Sequence, residues 1–270
     1  MRAMTMTDGT RVRGAYARTR EEACIVLTAF GYFSRLPVPS RLAFSQARLA
    51  ASGRYLPLVG LVIGSAGALI YGLALQVLPA ALAVLLSMAA TLLASGALHE
   101  DGLADCCDAF GGAHAREDVL RIMKDSRIGA FGAIGVVVAL LVKWQALTAL
   151  AQRHPLAAAG WMIAAHMASR AGAIVYVATL DYARADGKSR AFAQRSPRAA
   201  AVALLIGLPG LFGAGTRLGA LCLMVGLLLH VALGRWFKRR LGGYTGDCLG
   251  LAQQVFEIAI YLVVLGWISS

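Results

Sequence analysis

Glu100, Asp101, Asp105 and Asp108 place four of the chain's fourteen acidic residues within nine positions. Asp101, Asp105 and Asp108 fall at i, i+4 and i+7, which on a helix sets three carboxylates within about 60° of one face. Carboxylates so crowded repel one another and titrate upward unless a cation lies between them. The natural occupant is a hard divalent ion with oxygen ligands, Mg²⁺ or Mn²⁺. A solvated acidic helix end would show the same spacing. The surroundings argue for the metal, because the rest of the chain is basic and the cluster directly follows an apolar run.

Three polar segments could join this cluster. Gly111-Gly112 leads to Met123-Lys-Asp-Ser-Arg-Ile-Gly129, where alternating charge beside glycine offers cations to neutralise a phosphate and backbone to approach it. Asp186-Gly-Lys-Ser-Arg190 adds Lys188 and Arg190 but lacks the upstream glycine of a Walker A loop. Gly242-Gly-Tyr-Thr-Gly-Asp-Cys-Leu-Gly250 sets four glycines around Asp247, which fits a ligand-hugging loop or a plain turn. Charges within apolar runs are costly and by default functional. Arg170 shares a helix face with His166, and Glu257 lies ten residues after Asp247, near enough to the polar end to join it. Lys143 is expected to snorkel outward, away from the site. His99, beside the cluster, is open to roles as ligand, base or cap.

The elements that must position these groups are membrane helices. Hydrophobic residues make up 59% of the 270 and charged residues only 15%, against about 25% charged in soluble domains. Mean hydropathy is +0.67. Seven apolar segments, at about 55–78, 79–98, 129–150, 156–180, 199–214, 217–234 and 249–268, predict an all-α polytopic fold of about seven transmembrane helices. Residues 23–34 are too short to span and predict an interfacial or re-entrant helix; they follow four arginines without a cleavage pattern, so no removable signal is expected. Residues 1–22 read as a basic extension and 23–270 as one membrane-embedded domain.

Of the 26 Lys and Arg, 22 fall on one side of those spans if every one crosses, and only Arg153 and Arg217 on the other. That asymmetry predicts a cytoplasmic N-terminus and cytoplasmic polar loops. The net charge of +12 therefore gathers on one face, where orientation, anionic lipid or a phosphorylated substrate would each use it. Nucleic-acid binding is not supported, since no binding module accompanies the basic residues. Gly60, Gly64, Ala68 and Gly72 form a small-residue ridge, suited to an intrachain helix contact or to a homo-oligomer seam. The five cysteines show no paired Cys-x-x-Cys and read as reduced packing thiols.

Carboxylates, a metal, cations and glycine loops at a membrane surface make an inventory for displacement at phosphorus. A divalent-cation transporter or channel is the rival, but it would want acids at the bilayer midplane and commonly a repeat.

The motifs His99-Glu-Asp-Gly-Leu-Ala-Asp-Cys-Cys-Asp108, Met123 to Gly129 and Gly242 to Gly250, followed by Ala252-Gln-Gln254 and Glu257, resemble the cobalamin synthase family of adenosylcobinamide-GDP ribazoletransferases. Phe30-Gly-Tyr-Phe-Ser-Arg-Leu-Pro-Val-Pro39 and Arg54-Tyr-Leu-Pro-Leu-Val-Gly60 resemble that family's opening, and the likeness covers about residues 30–265. Cys106-Cys107 departs from the small or hydroxylated residues expected there. The Asp pattern is more loosely similar to CDP-alcohol phosphotransferases. The resemblance implies a Mg²⁺-dependent enzyme of the bacterial inner membrane, in which a ribose hydroxyl of α-ribazole, or of its 5′-phosphate, displaces GMP from adenosylcobinamide-GDP. On that reading Asp101, Asp105 and Asp108 hold the metal and Asp108, by analogy, takes the hydroxyl proton. Asp125, Asp247 and Glu257 complete the metal shell. Lys124, Arg127, Lys188, Arg190 and Arg170 contact the substrate.

Overall fold

Prolines open and glycines close several of this chain's helices. The computed structural model describes residues 6–39, 45–184 and 194–269, with side chains from Tyr16 onward. Helix α1 (Met6–Phe33) runs unbroken through residue 22 and ends ahead of Arg35 and Pro37. After α2 (Gln46–Ser52) and a 3-10 turn, α3 (Leu56–Ala74) starts with Pro57 in its first turn, where a missing N–H costs nothing. α4 (Ala80–Ser95) closes on Gly96 at φ +68°. Ala97 is also left-handed, at φ +54°, a conformation that costs an L-residue about 1–2 kcal/mol. Together the two residues turn the chain by 88° into α5 (Leu98–Gly112).

α6 (Arg116–Ile122) leads to α7 (Ala130–Arg153), and Pro155 starts α8 (Pro155–Thr179). α9 (Pro197–Gly207) has Pro197 at its start and Ser196 as its N-cap, the hydroxyl accepting from the Ala199 N–H at 3.2 Å. α10 (Thr216–Leu241) closes on left-handed Gly242, and α11 (Gly246–Ser269) ends the fold.

Each of the seven expected apolar segments is helical, and the chain is an all-α polytopic membrane protein. Four helices are long and apolar enough to cross a membrane: α3 with the short helix before it, α7, α10 and α11. The bent α4–α5 pair would make a fifth. The expected count of seven is not reached by that measure. α9 has only 11 residues before a 3-10 turn. α8 has 25, diluted by Ala, Gly, Ser, His166 and Arg170, and fourteen of them are buried. It is wrapped chiefly by α3, α9 and α11, so protein rather than lipid surrounds it.

The small-residue ridge of α3 is used within the chain. A methyl group on Gly60 would lie 2.3 Å from the His166 carbonyl oxygen, and one on Gly64 2.9 Å from the Ile163 Cα. Gly72, at the ridge's far end, faces open space. Two apolar clusters fill the interior. One gathers Leu103, Cys106, Ile174, Tyr244, Cys248 and Phe256 around the start of α11, and the other gathers Leu147, Trp161, Ala165, Ile260 and Val264 farther along. Between them runs a layer of buried polar side chains.

Candidate active site

Glycine lets α5 and α11 meet backbone to backbone. A methyl group on Gly102 would stand 2.9 Å from the Asp247 carbonyl oxygen, and one on Gly250 2.9 Å from the His99 carbonyl oxygen. This contact carries Asp247, in the first turn of α11, over the acidic face of α5. Asp101 and Asp247 line one cleft of about 130 Å³, with His99, Tyr244, Gly246 and Gly250 among its walls. Asp101 is exposed and Asp105 half-buried, and no hydrogen-bond donor satisfies either carboxylate among the described residues. α5 turns away from α4 and lies outside the four candidate spans. Burial, then the charges of Asp247, Asp101 and Asp108, push Asp105 up to about 7 against the pull of Arg184. Burial also holds the His99 imidazole well below its ordinary range, so it is neutral.

Three chain segments converge on Asp247. The Tyr182–Tyr244 bridge joins the exit of α8 to the glycine loop, with the Ala183 N–H donating to the Tyr244 carbonyl at 2.8 Å and the Tyr244 N–H to that of Asp181 at 2.9 Å. Gly243 permits this approach, since a Cβ there would lie 2.0 Å from the Asp181 oxygen. Arg184 then reaches Asp247 at 2.7 Å. Its Nε is buried without a partner among the described residues. Thr245 caps α11, its hydroxyl accepting from the Cys248 N–H at 3.3 Å. Arg116 clamps the assembly from below, donating to the Leu241 and Ala183 carbonyls, both at 2.8 Å. In the sequence Arg184 and Arg116 were only two more loop cations; no spacing marked them.

The remaining expected site residues go elsewhere. Asp108 caps α7, accepting from the Gly129 N–H at 2.7 Å and the Gly132 N–H at 2.8 Å, so both its oxygens are engaged. Asp125 pairs with Arg127 at 2.7 Å on the surface, and that guanidinium holds its carboxyl at about 2. Lys124 is exposed. Lys188 and Arg190 lie outside the described residues.

Glu257 belongs to the polar layer, not to the cleft. Ten residues separate it from Asp247, about 15 Å along a helix. Its carboxylate lies 3.1 Å from the Lys143 ammonium and 3.6 Å from His166 Nδ1, and accepts from Gln253 at 2.7 Å and Tyr261 at 3.2 Å. The expectation that Lys143 snorkels outward is therefore corrected: it is 5% exposed and turned inward. Gln254 accepts from Lys143 and donates to Glu100, both at 2.8 Å, which ties the polar layer to the residue before Asp101. Arg170 is 1% exposed and donates to His166 Nδ1 at 2.9 Å, away from any open surface.

Among the described residues no three His, Cys, Asp or Glu side chains converge on a point that could hold a metal. Mg²⁺ does not need three: it is commonly held by one or two carboxylates with substrate phosphates and water as the rest. Asp101 and Asp247, facing one cleft from α5 and α11, fit that requirement.

A family model described as cobalamin-5-phosphate synthase matches residues 25–265. A protein of Ralstonia nicotianae called adenosylcobinamide-GDP ribazoletransferase is 56% identical over 92% of this chain and 98% of its own length. Proteins of the same name from Ralstonia pickettii and Shewanella frigidimarina are 52% and 42% identical, over 93% and 89% of this chain and 98% and 94% of their own lengths. No solved structure matches the chain.

Proposed function

The chain belongs to the cobalamin-5-phosphate synthase family, and from that premise we propose that it joins adenosylcobinamide-GDP to α-ribazole or its 5′-phosphate at the cytoplasmic face of the bacterial inner membrane. A ribose hydroxyl oxygen forms a bond to the phosphorus attached to cobinamide. The bridging P–O bond to the guanylate breaks, and GMP leaves with its electron pair. The products are GMP and adenosylcobalamin or its 5′-phosphate.

Asp105 takes the hydroxyl proton. Its carboxyl is half-buried and faces no donor among the described residues, and burial with the neighbouring carboxylates raises it to about 7, a range that suits a general base. Asp101 and Asp247 are the carboxylates that would hold Mg²⁺. That ion, when bound, supplies neutralisation of the diphosphate charge and of the leaving phosphate. Arg184, already at 2.7 Å from Asp247, exchanges that partner for a phosphate oxygen. Lys124 and, from the second loop, Lys188 and Arg190 add positive charge to the approach. His99, neutral in the cleft wall, serves as a packing and hydrogen-bonding group.

The single observation that carries this reading is the Gly102–Gly250 contact, which lays Asp247 against the acidic face of α5. The positive asymmetry of the loops supports the cytoplasmic orientation. The acids of the polar layer favour transport less, because Glu257 is 1% exposed and both of its oxygens are taken up by neighbours. The test is product analysis with purified protein in lipid. GMP and an equal amount of nucleotide-bearing corrinoid are expected only with both substrates and Mg²⁺. GMP released without ribazole would make the protein a hydrolase.

A further inference from the structure

α10 makes few contacts with α8, and a gap opens between them. Two hollows of about 230 Å³ each line up along it and share His230. The first is walled almost wholly by apolar side chains, among them Leu208, Phe256 and Ile260. The second continues past Tyr176 and Gly234 to Arg235 and Lys238. From Cys222 to Lys238 the groove follows sixteen residues of α10, about 24 Å, against a hydrocarbon core of about 30 Å for the whole bilayer.

From this geometry we propose a binding site for one anionic glycerophospholipid, with an acyl chain in the apolar hollow and the headgroup phosphate at Arg235 and Lys238. An apolar void of about 150 Å³ already binds hydrocarbon such as benzene. At Gly226 the α10 wall is bare: a methyl group there would meet nothing within 4 Å. Arg235 and Lys238 are exposed and carry no ion pair among the described residues, so their charge is open to a phosphate. The ring stack of Tyr176 on His230, with centroids 4.0 Å apart, and the Tyr176 hydroxyl bond to the His230 carbonyl at 2.9 Å, hold in place the residue that the two hollows share. A corrin ring, rimmed with amides, would leave those amides unpaired in so apolar a space. The groove thus takes a lipid and not the corrinoid.

The test is native mass spectrometry of the full chain offered equal amounts of phosphatidylglycerol and phosphatidylcholine. One retained phosphatidylglycerol per chain is expected, favoured by about tenfold, equivalent to about 1.4 kcal/mol. Gly226→Leu should lower retention of either lipid by about tenfold, and Arg235→Gln with Lys238→Gln should erase the preference. If Gly226→Leu fails to fold, the surface pair decides alone. Equal retention of both lipids by the unaltered chain, displacement of the lipid by adenosylcobinamide-GDP, or a second copy of the chain retained instead of lipid would each overturn the proposal.

Discussion

The Lys143 ammonium and the Glu257 carboxylate meet at 3.1 Å between two apolar clusters, with neither side chain more than 7% exposed. Desolvating such a pair offsets most of its attraction, so its presence adds little net stability, but removing one partner strands the other. Lys143→Met should therefore destabilise the protein by about 3–5 kcal/mol. Adding Glu257→Gln should recover most of that loss. Thermal unfolding in one detergent, run as a double-mutant cycle, measures both. A loss in the double variant equal to the sum of the two single losses would show that the pair does not act as a unit.

Gly102→Ala tests the helix contact that builds the cleft. A methyl group there meets backbone, 2.9 Å from the Asp247 oxygen and 3.2 Å from the Gly250 Cα, so α5 and α11 must separate. A shift on the order of 1 Å in catalytic groups costs about 10²-fold in rate. We expect that loss in kcat with helix content unchanged by circular dichroism. A variant with unaltered kcat would remove the contact from the account.

Much of this architecture was legible. The seven apolar runs placed helices where helices stand, and the i, i+4, i+7 spacing placed three carboxylates on one helix. What could not be read was direction and depth. Nothing in the sequence says that Asp108 turns toward the N-terminus of α7 while Asp105 turns toward α11. Glu257 looked close to Asp247 only because ten residues is a short stretch of sequence, though it is three turns of helix. Lys143 fits a snorkelling lysine equally well until α11 supplies Glu257 and Gln254. Arg184 gains its place from the Tyr182–Tyr244 bridge, a tertiary contact with no local signal.

Asp105 and Asp108 should now part company. Asp108→Asn keeps an oxygen for one of the two α7 N–H groups, so it should retain most activity and lose about 1 kcal/mol of stability, the usual worth of a cap. Full inactivation of a folded Asp108→Asn enzyme would restore Asp108 as the proton acceptor.

The pH dependence follows from the Asp105 carboxyl. Its raised value leaves it protonated, and unable to accept a proton, below about 7 in the metal-free protein. Activity should therefore rise with pH through its titration and level off above it. Mg²⁺ bound by Asp101 and Asp247 would offset two of the charges that raise it, so the midpoint should move down as Mg²⁺ is increased. A midpoint that stays fixed across Mg²⁺ concentrations would separate Asp105 from those two carboxylates.

The most direct measurement is single-turnover GMP release by the Asp105→Asn protein in lipid, with both substrates and saturating Mg²⁺, beside the unaltered chain. A fall of about 10²–10⁴-fold is expected, the usual contribution of a general base, with insertion and folding intact. Release at the unaltered rate would contradict it, and the chemistry would have to be sought outside the cleft between α5 and α11.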